Sequence, residues 1–259
     1  MKVLVIGCGQ MGSAMARGLA STHELLLHSR DSKKADNLAE ELGCRAVDLY
    51  SGLEEADWAI LAIKPQNLAD FSVFLRSEIP NPPVLLSLLV GISLSELARL
   101  LPQFPCVRLM PNLAVAQGSA CLAVSIDPEP PAPSEQQLRE LLEPCGKVFF
   151  LNEDQFDAFT PIGGSGPAFI ATIIEAMTEA GILMGLHSSQ SLEITLQTIL
   201  GTINVIKEAG THPGQLRWDV SSPAGTTIAG IRKMEETGLR SSVIETLLAS
   251  FERVKAMQA

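Results

Sequence analysis

Apolar runs and amphipathic stretches alternate along the first half of the chain. Short apolar runs, several of them β-branched, predict strands at 3–6, 24–28, 44–47, 58–63, 84–90, 107–110 and 147–151. Helical periodicity between these runs predicts helices at 11–20, 33–42, 66–74, 93–100 and 134–142. Apolar strands separated by helices are typical of βαβ units, in which a parallel sheet has helices on both faces. The pattern therefore predicts a doubly wound α/β domain at the N-terminus.

The second half of the chain shows almost only helical periodicity. It predicts long helices at 168–184, 188–209 and 241–257, the second of them capped by Ser188 or Ser189. Positions such as Ile170, Ile173 and Met177 make the first of these helices apolar on several sides, and such a helix is buried on several sides. We therefore predict an all-α domain that forms a homodimer or a higher homo-oligomer. The predicted domains are 1–152 and 153–259.

Composition narrows the possible functions. Hydrophobic residues make up 46% of the 259 residues, which is enough for a sizeable buried core. The formal net charge of -10 disfavours nucleic-acid or anionic-membrane binding, which needs a basic face. The uncharged stretch 159–174 is too short, and too interrupted by Pro and Gly, to span a bilayer. The five cysteines form no CxxC motif and no zinc pattern, so we expect reduced thiols in a soluble, cytoplasmic protein without a metal site.

The segment Gly7-Cys8-Gly9-Gln10-Met11-Gly12 fits the G-x-G-x-x-G pattern of dinucleotide-binding domains. It follows a predicted strand and opens a predicted helix, which is the context that this motif requires. Gly7 would permit a tight turn, Gly9 a close approach of the pyrophosphate, and Gly12 close packing of helix and strand. The helix N-terminus, with Gln10 and Met11 in its first turn, favours the anionic pyrophosphate. The N-terminal domain is therefore predicted to be of the Rossmann type.

The end of the second predicted strand indicates which cofactor is bound. NAD-binding domains have an Asp or Glu there, which accepts a hydrogen bond from the ribose 2′-OH. This chain has Ser29 and Arg30, which can both donate to a 2′-phosphate, so NADPH is predicted and NADH is expected to bind more weakly. Asp31 is a counter-signal because it would face the ribose if the strand ended later. Lys33 and Lys34 suit a phosphate, but they equally suit a solvated surface cluster.

Ala62, Lys64 and Pro65 lie at the end of another predicted strand. In open parallel sheets the ligand lies beyond the carboxyl ends of the strands. We therefore predict that these residues help to bind the cofactor, with Lys64 meeting either cofactor or substrate. The alternative is an ordinary lysine at a strand end.

Motifs in both halves of the chain resemble those of pyrroline-5-carboxylate reductases. They are Gly7-x-Gly9-x-Met11-Gly12, Ile63-Lys64-Pro65, Arg108-x-Met110-Pro111-Asn112, Gly164-Ser165-Gly166-Pro167-Ala168-Phe169, His212-Pro213-Gly214 and the stretch 220–228. The resemblance implies a Rossmann-type NADP-binding domain followed by a helical dimerisation domain. It also implies NADPH-dependent reduction of 1-pyrroline-5-carboxylate to L-proline, the last step of proline biosynthesis, with Asn112 among the cofactor-binding residues.

By the same resemblance, the loop 221–227 binds the carboxylate of the substrate. Ser222, Thr226 and Thr227 offer hydroxyl donors, and Gly225 allows a close approach of the backbone at the start of a helix. Thr227 would lie beside the imine nitrogen as a hydrogen-bond donor, and it is the candidate catalytic residue. Without the resemblance, the same residues would equally suit a helix N-cap that binds no ligand.

Two departures from the family pattern leave alternatives open. Leu113 and Ala114 stand where the family usually has Thr and Pro, and the segment 87–91 is bulkier than usual. The alternatives are a reductase of another cyclic imine acid and a non-catalytic NADP(H)-binding regulatory protein. A β-hydroxyacid dehydrogenase is disfavoured because Ile170 occupies the place of the lysine that its chemistry requires.

Overall fold

The computed structural model describes residues 1–75, 79–127 and 132–256. Half of the loop that the prolines predict at 127–134, and position 257 of the last predicted helix, lie outside these residues. The described strands are β1 (Lys2–Ile6), β2 (Glu24–His28), β3 (Arg45–Ala46), β4 (Trp58–Leu61), β5 (Val84–Ser87), β6 (Cys106–Met110), β7 (Ala120–Ile126) and β8 (Gly146–Phe150). They form one sheet in the order β3-β2-β1-β4-β5-β6-β7-β8.

Strands β1 to β6 are parallel, whereas β7 pairs antiparallel with β6 and parallel with β8, so the last two strands run in the opposite direction. The Rossmann-type parallel core is as predicted, but β7 was missed and the sheet is mixed at that point. The connection from β6 to β7 holds only the short 3-10 helix Leu113–Gln117. A parallel crossover needs a dozen residues or more, so the chain returns antiparallel.

Seven helices accompany the sheet within the described part of the first 165 residues. They are α1 (Gln10–Leu19), α2 (Ser32–Leu42), α3 (Leu49–Glu55), α4 (Leu68–Phe74), α5 (Leu94–Leu100), α6 (Glu135–Leu142) and α7 (Phe156–Phe159), which leads into a π-helical turn (Thr160–Gly164). Helix α3, which includes Tyr50, was not predicted. Its start is fixed by Asp48, whose carboxylate accepts from the N–H of Ser51.

The two faces of the sheet carry separate apolar cores, because side chains alternate along each strand. Val3 and Val5 of β1 belong to the core that includes Met15 of α1. Leu4 of the same strand belongs to the core that includes Leu53 of α3. Both cores are buried, which explains why β1 is apolar after its first residue, Lys2.

The chain continues as helices from residue 166. They are α8 (Gly166–Leu183), α9 (Ser188–Ala209), α10 (Pro213–Asp219), α11 (Thr226–Glu236) and α12 (Leu239–Ala256). The N-cap of α9 is His187, not one of the serines predicted for that place. Ser191 instead links two helices, since its hydroxyl donates to the carbonyl of Thr178 over 2.7 Å.

The described residues form two compact units. One comprises Met1–Ser165 together with the end of the chain from Phe251, and the other comprises Gly166–Ser250. The boundary predicted after residue 152 stays a prediction.

The helices of the second unit expose many apolar side chains within a single chain. On α8 and α9 these include Ile170, Met177, Ile194, Leu200 and Ile203. By length and composition alone, the helical stretch 153–183 would suffice to cross a membrane, which is weak evidence by itself. The Pro and Gly residues expected to interrupt this stretch lie in the π-helical turn Thr160–Gly164 and at the start of α8, and Ser165 between them forms a bend.

Candidate cofactor and substrate sites

The glycine-rich loop after β1 joins the sheet to α1 by backbone contacts. Gly7 adopts φ 105°, in the left-handed region that favours glycine. Its N–H donates to the carbonyl of His28 at the end of β2 over 2.7 Å. A Cβ at Gly12 would collide with the carbonyl of Gly7. Gly7 and Gly12 therefore have the turning and packing roles that the motif predicts.

The start of α1 is open. A Cβ at Gly9 would meet no atom within 4 Å, and no side chain caps the first turn of the helix. Gly9 and Gln10 are exposed, and Met11 is half-buried. The first N–H groups of a helix have no partner within the helix itself, and they carry its positive dipole end. This geometry fits an anion such as a pyrophosphate.

A cavity of about 810 Å³ lies beyond the carboxyl ends of β1, β2 and β4, where Ile6, His28 and Ala62 line it. The chain runs outward from β1 to β3 and then returns to β4 on the other side of β1. Ligands of open α/β sheets bind where the strand order reverses in this way.

One part of the cavity wall is cationic. Ser29, Arg30 and Lys34 line it, whereas Lys33 does not. Asp31 lines it as well and occupies the N-cap position of α2. The cluster thus offers three donor side chains and one carboxylate to a bound group.

Another part of the wall is apolar, and the sequence analysis missed it. Leu49 of α3 and Phe71 and Phe74 of α4 line the cavity. Phe74 is 62% exposed, so its ring is available to a flat ligand. Tyr50 holds it in place, because the phenol donates to the carbonyl of Phe74 over 2.8 Å and the two rings lie 6.0 Å apart. A signal was present in the spacing of the two phenylalanines on one helix next to a strand end.

Some of the residues that follow β4 line the cavity, and others only shape the backbone beside it. Ala62 and Lys64 line it, and Pro65 starts the 3-10 helix Pro65–Asn67 without lining it. The carbonyl of Ala62 lies only 2.7 Å from where a Cβ of Gly7 would be, so the two loops meet through their backbones. A contact between Pro65 and the cofactor stays a prediction.

Asn112 is buried, and both ends of its side-chain amide are occupied. Its Oδ1 accepts from the N–H of Ala114 over 3.0 Å. Its Nδ2 donates to the carbonyl of Gly163 over 2.6 Å. Asn112 does not line the cavity described above, and its predicted contact with the cofactor stays a prediction.

The loop between α10 and α11 has an unusual backbone. Ala224 is the one non-glycine residue with positive φ, 56°, among the described residues. Such strained backbone is concentrated at ligand-binding sites. A Cβ at Gly225 would collide with the hydroxyl of Ser222, and the N–H of Gly225 donates to the carbonyl of Ser222 over 3.1 Å. The loop is therefore a tight turn in which Gly225 leaves room for the side chain of Ser222.

The hydroxyls predicted to bind substrate are free in this loop. Those of Ser222, Thr226 and Thr227 make no hydrogen bond within the described residues, and no side chain caps Gly225 at the start of α11. A cavity of about 410 Å³ runs along α11 from Ala224 and Gly225 to Arg232, but the three hydroxyl-bearing residues do not line it.

Three thiols and two histidines, which are candidate acids or nucleophiles by residue type, have structural surroundings. Burial raises the pKa of the Cys8 thiol to about 11, and those of Cys106 and Cys145 to about 12, so all three stay protonated near neutral pH. The Nδ1 of His212 accepts from the N–H of Gly214 as the cap of α10, and His187 contacts the hydroxyl of Ser189.

Two family models match the chain. One, described as pyrroline-5-carboxylate reductase dimerisation, matches residues 153–257, and the other, described as NADP oxidoreductase coenzyme F420-dependent, matches residues 2–91. The pyrroline-5-carboxylate reductase of Aquifex aeolicus is 32% identical over 261 residues, covering 99% of this chain and 97% of that protein. This chain belongs to the pyrroline-5-carboxylate reductase family.

Solved structures of this family share the fold. The enzyme of Streptococcus pyogenes is 31% identical, with a TM-score of 0.88 over 99% of this chain and 98% of that one. The Plasmodium falciparum pyrroline carboxylate reductase, solved with NADP bound, is 24% identical and alike in fold, with a TM-score of 0.87 over 100% and 98% of the two chains. The predicted architecture, a Rossmann-type domain followed by a helical dimerisation domain, is confirmed.

Two glycine substitutions should separate binding from folding. Gly9→Ala should leave the thermal midpoint unchanged, because its Cβ meets no atom. It should weaken NADPH binding about tenfold or more, because the methyl group occupies the space that a pyrophosphate would approach. Gly12→Ala should lower the thermal midpoint instead, since overpacking of this kind costs about 1–3 kcal/mol. Fluorescence titration with NADPH and thermal unfolding measure the two effects, and wild-type affinity in Gly9→Ala would contradict this assignment.

Proposed function

We propose that this protein reduces 1-pyrroline-5-carboxylate to L-proline with NADPH. The observation that carries the proposal is the loop 221–227, where the hydroxyls of Ser222, Thr226 and Thr227, which have no partners among the described residues, lie around the uncapped start of α11. Free N–H and O–H donors on a strained turn suit a carboxylate. Membership of the family over nearly the whole chain supports the same substrate.

The residues around the 810 Å³ cavity fit the cofactor. The open helix start at Gly9 would hold the pyrophosphate, and Ser29, Arg30 and Lys34 would hold the 2′-phosphate of the adenosine half. The exposed ring of Phe74 would lie against the adenine, since aromatic faces favour stacked contacts. Asp31 does not exclude this arrangement, because two cations in the same wall offset its charge.

For this reaction, the main task of the protein is to orient the cofactor and the substrate relative to each other. When bound, the nicotinamide cofactor supplies a hydride for the ring C=N carbon. A cyclic imine is basic enough to take up a proton near neutral pH, and the resulting iminium needs no strong acid. The loop would hold the substrate by its carboxylate, and the hydroxyl of Thr227 would donate to the ring nitrogen. The protonated thiols and the capping histidines described above are consistent with a site that has no dedicated acid.

The protein is further proposed to act in the cytoplasm as a homodimer or a higher homo-oligomer. The free cysteines among the described residues support a reducing compartment. The exposed apolar side chains of α8 and α9 support burial against a second copy, because patches of this extent are rarely left in water.

Arg30→Ala should weaken NADPH binding roughly tenfold to a hundredfold and leave NADH binding nearly unchanged. The reason is the loss of a charge-assisted hydrogen bond, typically about 1.5–3 kcal/mol, to a phosphate that NADH lacks. Titration with each cofactor measures the effect. Lys33→Ala is the matched control, because this neighbouring cation does not line the cavity. Equal losses for both cofactors would refute the assignment of Arg30 to the 2′-phosphate.

Thr227→Val should lower kcat/KM for 1-pyrroline-5-carboxylate by roughly a hundredfold, because it removes one donor while keeping the shape of the side chain. Thr227→Ser keeps the donor and should retain most of the activity. Both are followed by the absorbance of NADPH, with a six-membered cyclic imine acid as a second substrate. No imine-dependent oxidation by the wild type, despite tight NADPH binding, would favour a regulatory protein instead.

In light scattering after gel filtration, the wild type should elute with the mass of two or more chains. Leu200→Glu, on α9, should shift it towards the monomer, because a charge cannot be buried unpaired in an apolar interface. Val73→Glu is the matched control, since both side chains are about half exposed, 51% and 53%, but Val73 lies in the first unit. A monomeric wild type would contradict the proposed assembly.

A further inference from the structure

Three alternate residues at β6 face one segment of the chain. Arg108, Met110 and Asn112 are spaced by two, so their side chains leave the strand on the same side. Asn112 continues the extended backbone beyond the end of β6, with φ -132° and ψ 176°. Each of the three contacts the segment 153–163, which leads to helix α8.

The first of these contacts is an ion pair between Arg108, which is buried, and Glu153, which is partly exposed. The guanidinium of Arg108, whose side chain is 7% exposed, lies 2.7 Å from Glu153 and 4.7 Å from the centre of the Phe156 ring. The same carboxylate oxygen accepts from the N–H of Leu94 at the start of α5 over 2.7 Å. The second contact is apolar, because Met110 and Phe156 belong to one small buried cluster.

The third contact completes a hydrogen bond that the helix itself lacks. In a regular helix the carbonyl of Gly163 would accept from the N–H of residue 167, but that residue is Pro167 and has none. The carbonyl belongs to a buried residue, where an unpaired acceptor is costly. The Nδ2 of Asn112 donates to it over 2.6 Å. The asparagine thus supplies the donor that the proline lacks.

The oxygen of the same amide fixes the turn Leu113–Gln117, which packs on helix α1 of the cofactor-binding domain. Oδ1 of Asn112 accepts from Ala114 and starts the 3-10 helix Leu113–Gln117. That turn packs directly on α1, since a Cβ at Gly18 would lie 2.5 Å from the carbonyl of Val115. The side chain at 112 therefore needs both an acceptor towards the turn and a donor towards Gly163, and the carboxamide supplies both.

We propose that Asn112 is a positioning residue for the reductase, and that it acts through its hydrogen bond to Gly163 instead of through a contact with the cofactor. Its amide ties the carboxyl end of β6, at the sheet edge shared with the glycine-rich loop, to the π-helical turn that precedes α8. This inference rests on the proposed function for its kinetic consequence only, since the hydrogen bond is a feature of the fold.

Asn112→Asp tests the donor alone, because the carboxylate still caps Ala114 but turns an acceptor towards Gly163. At alkaline pH, kcat/KM for 1-pyrroline-5-carboxylate should fall roughly tenfold to a hundredfold, with the dissociation constant of NADPH within about twofold of the wild type. As the pH falls, the variant should recover relative to the wild type, because the protonated carboxyl group can donate to Gly163. Gln117→Glu adds the same charge at an exposed position of the neighbouring turn and should change neither quantity.

A second variant tests the relation to the proline. Pro167→Ala returns an N–H to the helix, so Asn112→Asp should lose less activity in that background than in the wild type. An equal loss of kcat/KM in both backgrounds would overturn the proposal. So would a weakening of NADPH binding that is as large as the loss of kcat/KM and does not recover at low pH.

The fold also provides a readout that does not depend on turnover. The thermal midpoint of Asn112→Asp should lie below that of the wild type at alkaline pH and approach it as the pH falls. If the wild type does not reduce 1-pyrroline-5-carboxylate, the proposed function fails while this comparison still decides the role of Asn112. Equal midpoints at every pH would then refute it.

Discussion

The cofactor half of this protein depends on backbone contact between α1 and the segments at its two ends. At Gly12 the helix touches the carbonyl of Gly7, and at Gly18 it meets the carbonyl of Val115. No side chain fits between the surfaces, so the position of the helix is fixed by two glycines and not by apolar packing alone. Close-packed backbone of this kind has little freedom to adjust, and this holds the open N-terminus of α1 at the end of β1.

That open N-terminus has a cost that a ligand would offset. The first N–H groups of α1 have no side-chain cap, whereas α5 and α6 begin at serines that accept from the backbone. A cap contributes about 1 kcal/mol to a helix, and its omission at Gly9 leaves these donors available to an anion. The start of α11 at Gly225 also has no side-chain cap, a feature that both share with α2, α4 and α9.

The sequence predicts some parts of this structure much better than others. The strands of the parallel core were predictable because they are buried on both faces and therefore mostly apolar. The place of Ser29 and Arg30 on the cavity wall was predictable as well, because the end of β2 is a fixed place in such a sheet. The antiparallel direction of β7 depends on the length of a connection, which periodicity does not show, and α3 was missed because it is short.

The apolar wall of the cavity shows a different limit of sequence reasoning. Periodicity indicates that Phe71 and Phe74 share a side of α4, but not that this side borders a cavity. The role of Asn112 was hidden for a related reason. The motif Arg108-x-Met110-Pro111-Asn112 suggests one local site, whereas the structure pairs its alternate residues with a segment distant in sequence.

These contacts bear on how a reductase without a dedicated acid reaches its rate. An iminium accepts a hydride readily, so most of the barrier that a protein can remove lies in bringing donor and acceptor atoms together in the right orientation. Small displacements of the backbone are enough to disturb this orientation. Hydrogen bonds between buried groups fix the position of the backbone more specifically than apolar packing does. A buried amide that satisfies a carbonyl left without a partner by Pro167 is such a constraint. In a site of the proposed chemistry, a residue that never touches the reactants would therefore contribute to the rate by positioning the groups that do.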